Sequence, residues 1–133
     1  MNHRFRTGLI AGALGTGLML AISSAVAAAG QAGAAGEAAS RGHALFTAQC
    51  APCHGAGPGD DGSPQLPGTA ALALKYKGEQ PPELEKRADL DADILRVFVR
   101  NGVGAMPMFR KAELTDKDVD DIAAYLKASA AAR

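Results

Sequence analysis

The stretch Cys50-Ala51-Pro52-Cys53-His54 decides how the rest of the chain is read. Its two thiols are the only cysteines among 133 residues. Two intervening residues place them about one helical turn apart, on one side of the backbone. The histidine follows at once, so an imidazole is carried beside whatever the thiols hold. C-x-x-C-H is the attachment signature of c-type haem: each thiol adds across one vinyl group, and the histidine binds iron from one face. A C-x-x-C pair also serves as a redox dithiol or as half of a zinc site. The dithiol needs a strand before it, and no Val/Ile-rich run precedes Cys50. Zinc needs further ligands, and besides His54 only His3 and His43 exist. The expectation is one covalent haem c on Cys50 and Cys53, with His54 as an iron ligand.

Upstream, His3, Arg4 and Arg6 form a basic start, Leu9 to Ile22 an apolar stretch, and Ser24-Ala25-Val26-Ala27 a small-residue cleavage site. Residues 1–27 therefore read as a signal peptide, and the mature chain as periplasmic. Left uncleaved, the same segment would be a membrane anchor. Residues 28–39 carry almost no bulky side chains and read as a flexible Ala/Gly-rich linker. One small domain is left, over 40–130. It has no Trp and few aromatics, so its core alone would be marginal. A buried haem would supply the missing apolar volume.

The chain has 14 basic and 14 acidic residues. Loss of Arg4 and Arg6 with the signal leaves the domain slightly acidic. There is no basic stripe and no aromatic–basic interleaving, which argues against nucleic-acid binding.

The helical expectations are these. Ser40 caps a helix to Gln49, with Gly42 and Phe46 on one face. Gly55 to Gly68 is a loop, Ala70 to Tyr76 a short helix, and Pro81-Pro82 open a helical turn over Glu83 to Arg87. Asp91 or Asp89 caps a helix to Asn101, where Ile94, Val97 and Phe98 follow the i, i+3, i+4 spacing, and Asn101-Gly102 ends it. Thr115 and Asp118 cap a last helix with Val119, Ile122, Ala123 and Leu126 as its buried stripe. No segment alternates as a strand should, so the fold class is all-α.

A second axial ligand is sought among Met106 and Met108, the only methionines after the signal. Both lie in the loop Gly102-Val103-Gly104-Ala105-Met106-Pro107-Met108-Phe109. A thioether is a soft ligand that favours reduced iron. Pro107 would fix an extended path beside Met106.

The order helix, C-x-x-C-H, Gly/Pro loop, helix ending Asn101-Gly102, then Ala105-Met106-Pro107-Met108-Phe109 and a helix ending Ala124-Tyr125-Leu126-Lys127 resembles a monohaem class I cytochrome c, over about residues 40–128. The resemblance implies a small helical fold wrapped around one haem, with Met106 as sixth ligand. It implies that the first and last helices cross, Gly42 and Phe46 meeting Ile122 and Tyr125. It also matches Pro64-Gln65-Leu66-Pro67-Gly68 to a Pro-x-Leu-x-Gly segment. The Pro64 carbonyl would then accept the proton of His54, and Leu66 would pack on the ring. Lys75-Tyr76-Lys77-Gly78, the segment 84–90 and Met106 to Lys111 are similar to cytochromes that pair with vanillyl-alcohol-oxidase-type flavoenzymes, such as the cytochrome subunit of 4-cresol dehydrogenase.

What the resemblance implies is a periplasmic electron carrier, not itself an enzyme. It would take electrons from a dehydrogenase and pass them to an oxidase or another cytochrome. Two other roles fit the same residues: a tightly bound haem subunit of a flavin-dependent phenol-oxidising dehydrogenase, and a gas-binding haem sensor from which Met106 departs.

Overall fold

The computed structural model describes the backbone from Gly17 to Arg133 and the side chains from Gln31 onward. The first part of the expected signal peptide, residues 1–16, lies outside the described residues. In order, the elements are α1 (Gly17–Gln49), α2 (Ala51–His54), α3 (Pro67–Tyr76), a 3₁₀ turn (Leu84–Lys86), α4 (Ala92–Asn101) and α5 (Asp116–Ala131). No strand occurs among the described residues, only an isolated bridge between Val103 and Met106. The all-α expectation holds. The chain divides into two units, Met1–Gly33 and Ala34–Arg133, and the second contains the core and the candidate site.

Two boundaries differ from expectation. Helix α1 does not begin at a Ser40 cap but runs through it, and 28–39 follow a helical path rather than an irregular tether. Alanine has the highest helix propensity, so an Ala-rich segment winds even where its side chains are exposed. Residues 31–37 are all exposed. Helix α3 begins three residues early because Pro67 occupies its first turn, where a missing N–H costs nothing.

The last helix is built as its sequence implies. The Thr115 hydroxyl accepts from the Asp118 amide at 3.1 Å, and the Asp118 carboxylate accepts from the Thr115 amide at 2.8 Å. The stripe Val119, Ile122, Ala123 and Leu126 is buried. Helix α5 packs against α4 and the 3₁₀ turn, and α2 packs against α3. Phe46, Leu90, Leu95, Val99 and Leu114 complete the core.

Helices α1 and α5 cross at Gly42. A Cβ placed there would lie 1.9 Å from the Asp121 carbonyl oxygen and 2.9 Å from the Ile122 amide nitrogen. Only a hydrogen fits between the two backbones. One turn on, the Phe46 ring lies 5.5 Å from that of Tyr125, centroid to centroid. Beside the crossing, Arg41 Nε donates to Asp121 at 3.0 Å, and Lys117 Nζ donates to the same carboxylate at 2.7 Å.

Helix α4 is apolar on two sides. Its N-cap is Asp91, whose carboxylate accepts from the Ile94 amide at 2.8 Å. Leu95 and Val99, four apart, are the residues that enter the core. The expected i, i+3, i+4 set faces elsewhere: Ile94 and Phe98 are each 37% exposed and Val97 is 58% exposed. The pattern marks a second face, which the described residues leave partly exposed.

Candidate haem-attachment site

The C-x-x-C-H turn is a rigid continuation of α1. The Cys50 amide donates to the Phe46 carbonyl at 2.8 Å, the His54 amide to the Cys50 carbonyl at 2.8 Å, and the Gly55 amide to the Ala51 carbonyl at 2.9 Å. Since Phe46 is locked in the helix crossing, the two thiols and the imidazole inherit its position. Cys50 and Cys53 are not joined to each other. Burial pushes the Cys50 thiol up to about 11, with the neighbouring Cys53 thiol adding to the effect. Cys53 lies exposed at the surface.

Burial lowers the pKa of His54, so the imidazole is neutral at pH 7 and has a lone pair to donate. Its Nδ1 is buried and has no hydrogen-bond partner. The start of α3 forms a floor beneath the ring. A Cβ on Gly68 would meet His54 Cε1 at 2.7 Å and Nδ1 at 2.8 Å. Next to it, the buried Thr69 hydroxyl donates to the Gly55 carbonyl at 3.1 Å, pinning the backbone just after His54. Gly68 and Thr69 were missed by sequence reasoning. Small residues at a helix start carry no signal of what they touch.

The hydrogen bond expected between His54 and the Pro64 carbonyl is not formed. Pro64 is exposed, and the orphaned Nδ1 shows that its carbonyl does not receive the His54 proton. The reason is local. The segment is spent on turns and on starting a helix. Asp61 accepts from the Ser63 amide, the Ser63 hydroxyl donates to the Gln65 carbonyl, and Leu66 is the N-cap of α3. Leu66 does not reach the core. A second Pro-x-Leu, Pro82-Glu83-Leu84, does: Leu84 packs against the core cluster.

Met106 is fixed by a tight turn. Val103 and Met106 exchange both backbone hydrogen bonds, at 3.2 and 2.9 Å, around Gly104-Ala105. Gly104 adopts φ 57° and Gly102 φ 64°, and a Cβ on Gly102 would lie 2.6 Å from the Met106 carbonyl oxygen. Gly102 has room for no side chain, and both positions take the left-handed φ that favours glycine. Met106 packs against the core, whereas Met108 is 61% exposed.

These residues fit a haem. Among the described residues no group of three or more His, Cys, Asp or Glu is arranged to hold a metal by itself, which leaves zinc without a donor set. The imidazole and the thioether are instead the soft pair that suits haem iron. Cys50 and Cys53 would carry the group, and His54 and Met106 would hold its iron. Bound there, haem supplies a one-electron Fe(III)/Fe(II) couple.

Comparison with known proteins agrees. The family described as cytochrome c oxidase, cbb3-type, subunit III matches residues 37–126. Cytochrome c6 of Gloeothece citriformis (strain PCC 7424) is 34% identical over 88 residues, 66% of this chain and 68% of its own length. Cytochrome c6 of Cyanidioschyzon merolae is 31% identical over 91 residues, covering 68% and 74%. No solved structure matches. The chain belongs to this family of cytochrome c domains: it is a haem protein of electron transfer, an electron carrier rather than an enzyme. No described helix is long and apolar enough to cross a membrane.

Proposed function

We propose that the chain is an exported carrier with one haem held covalently by Cys50 and Cys53 and ligated axially by His54 and Met106. The observation that carries this reading is the pairing of two separately fixed donors. One is the His54 imidazole, kept neutral by burial; the other is the Met106 thioether, presented by a turn that needs glycine at position 102. Two fixed ligands mean little rearrangement per electron, which is what a carrier needs. The test is spectroscopic. Met106→Ala abolishes the near-infrared sulfur-to-iron band of the oxidised protein, and Met108→Ala leaves it. The reverse result reassigns the ligand. Export is tested by deleting residues 1–27, which leaves a colourless chain if attachment takes place outside the cytoplasm; a haem-bearing deletion product removes that part of the reading.

The donor is a flavin-dependent dehydrogenase of phenolic substrates, and the acceptor an oxidase or another cytochrome. Support comes from two of the segments that resemble flavoenzyme-linked cytochromes, since they meet in space. The Arg87 guanidinium lies over the Tyr76 ring at 4.8 Å from its centroid, beside Lys75 at 5.2 Å. Fast reduction by a quinoprotein dehydrogenase, with none by a flavoprotein, would remove this assignment and leave the carrier intact.

A further inference from the structure

We propose that Arg100 is the positioning residue of the sixth ligand: it clamps the loop that carries Met106. The proposal rests on the reading of Met106 as an iron ligand. Between Val103 and Met108 the backbone hydrogen bonds are the Val103–Met106 pair, which is internal to the loop and ties it to nothing. The external tie comes at Phe109, three residues after Met106, and it is double. The Phe109 amide donates to the Val99 carbonyl at 2.8 Å, and Arg100 Nη1 donates to the Phe109 carbonyl at 3.0 Å. The other arm of the guanidinium, Nη2, donates to Asp116 at the start of α5 at 2.7 Å. Asp116 is held in turn by Lys111 Nζ at 2.6 Å. One side chain thus joins α4, the ligand loop and α5. Its side chain is 20% exposed, and Nε is buried without a partner. That arrangement is explained by the two bonds at the fork and not by solvation of the charge.

The same helix offers a control. Arg96 also bridges α4 to α5, through Asp120, and pairs with Asp93, but it touches no part of the loop. A general inter-helix tie would be lost equally in both variants; a loop clamp would be lost only at Arg100.

The experiment uses oxidised holo-protein and two readouts. Imidazole is titrated against the iron while the sulfur-to-iron band is followed, and amide exchange is measured at Phe109. Arg100→Ala should lower the imidazole midpoint about ten-fold, the equivalent of one charged hydrogen bond, and speed Phe109 exchange by a similar factor. Arg100→Lys should recover part of both. Arg96→Ala should match wild type on both, whatever it does to melting. Should Arg100→Ala fail to fold, Asp116→Asn removes the anchor and should shift both readouts in the same direction by less. Equal shifts in the Arg96 and Arg100 variants, or none in either, would overturn the proposal. If Met106→Ala keeps the band, the ligand assignment falls, and Phe109 exchange alone decides the clamp: acceleration confined to Arg100→Ala upholds it, and its absence refutes it.

Discussion

At the scale of single residues, the fold turns on positions where a side chain has no room. Gly42 is the clearest, because the space a Cβ would need is taken by the Asp121 carbonyl, 1.9 Å away, and backbone cannot rotate aside as a side chain can. Gly42→Ala should already destabilise, and Gly42→Val more, by about 1–3 kcal/mol or beyond as overpacking forces the helices apart. The check is thermal unfolding of the holo-protein; unchanged melting in Gly42→Val would contradict the crossing. The same position lay open to reading in the sequence, since a glycine four residues from Phe46 on a helix face invites a close neighbour. Gly68 did not, although it touches His54 as closely. Its contact depends on where α3 comes to rest, which no local pattern encodes.

Elements were legible where their signals are local. The Thr115–Asp118 capping box and the α5 stripe stand as the sequence implies, because a cap is made by residues three apart and a stripe by residues on one helix. Helix α4 shows what local signals leave out. Its periodicity revealed one apolar face, but that face is the exposed one, and Leu95 and Val99 do the packing. Where a helix carries two apolar stripes, spacing alone does not say which of them enters the core. The segment Pro64 to Gly68 shows the same limit: Pro67 starts a helix there, and His54 Nδ1 is left without a partner. The end of α3 yields a prediction of its own. Lys77 is the C-cap and adopts φ 50°, a left-handed conformation in which a non-glycine residue is strained. Lys77→Gly should raise stability by roughly 0.5–1 kcal/mol, the relief of strain less the added freedom of the unfolded chain. Denaturant midpoints measure it, and a loss of stability would show that the Lys77 side chain contributes more than its backbone costs.

For the whole molecule, charge is arranged within the fold more than for action at a distance. Arg41 and Lys117 hold the Asp121 carboxylate below its usual range against the cost of burial, and Arg100 and Lys111 hold Asp116 at about 2. Both pKa values are depressed on folding. The stability these groups contribute is therefore present above the unfolded value of 3.8 and is lost as pH falls through the folded values. The contribution of these two carboxylates should be constant near neutrality and decline below 3.8. Asp121→Asn should melt lower than wild type at pH 7, with the gap closing as the acid limb is descended; a constant gap would show that the carboxylate's charge is not what fastens α1 to α5. The account as a whole depends on covalent haem. The most direct measurement is the intact mass of the chain from a host competent in cytochrome c maturation, paired with its alkaline pyridine haemochrome spectrum. The account predicts a mass increased by one haem and a spectrum with both vinyl groups saturated, and Cys50→Ser with Cys53→Ser should remove both. A chain of unmodified mass, with its two thiols free or joined to each other, would contradict it.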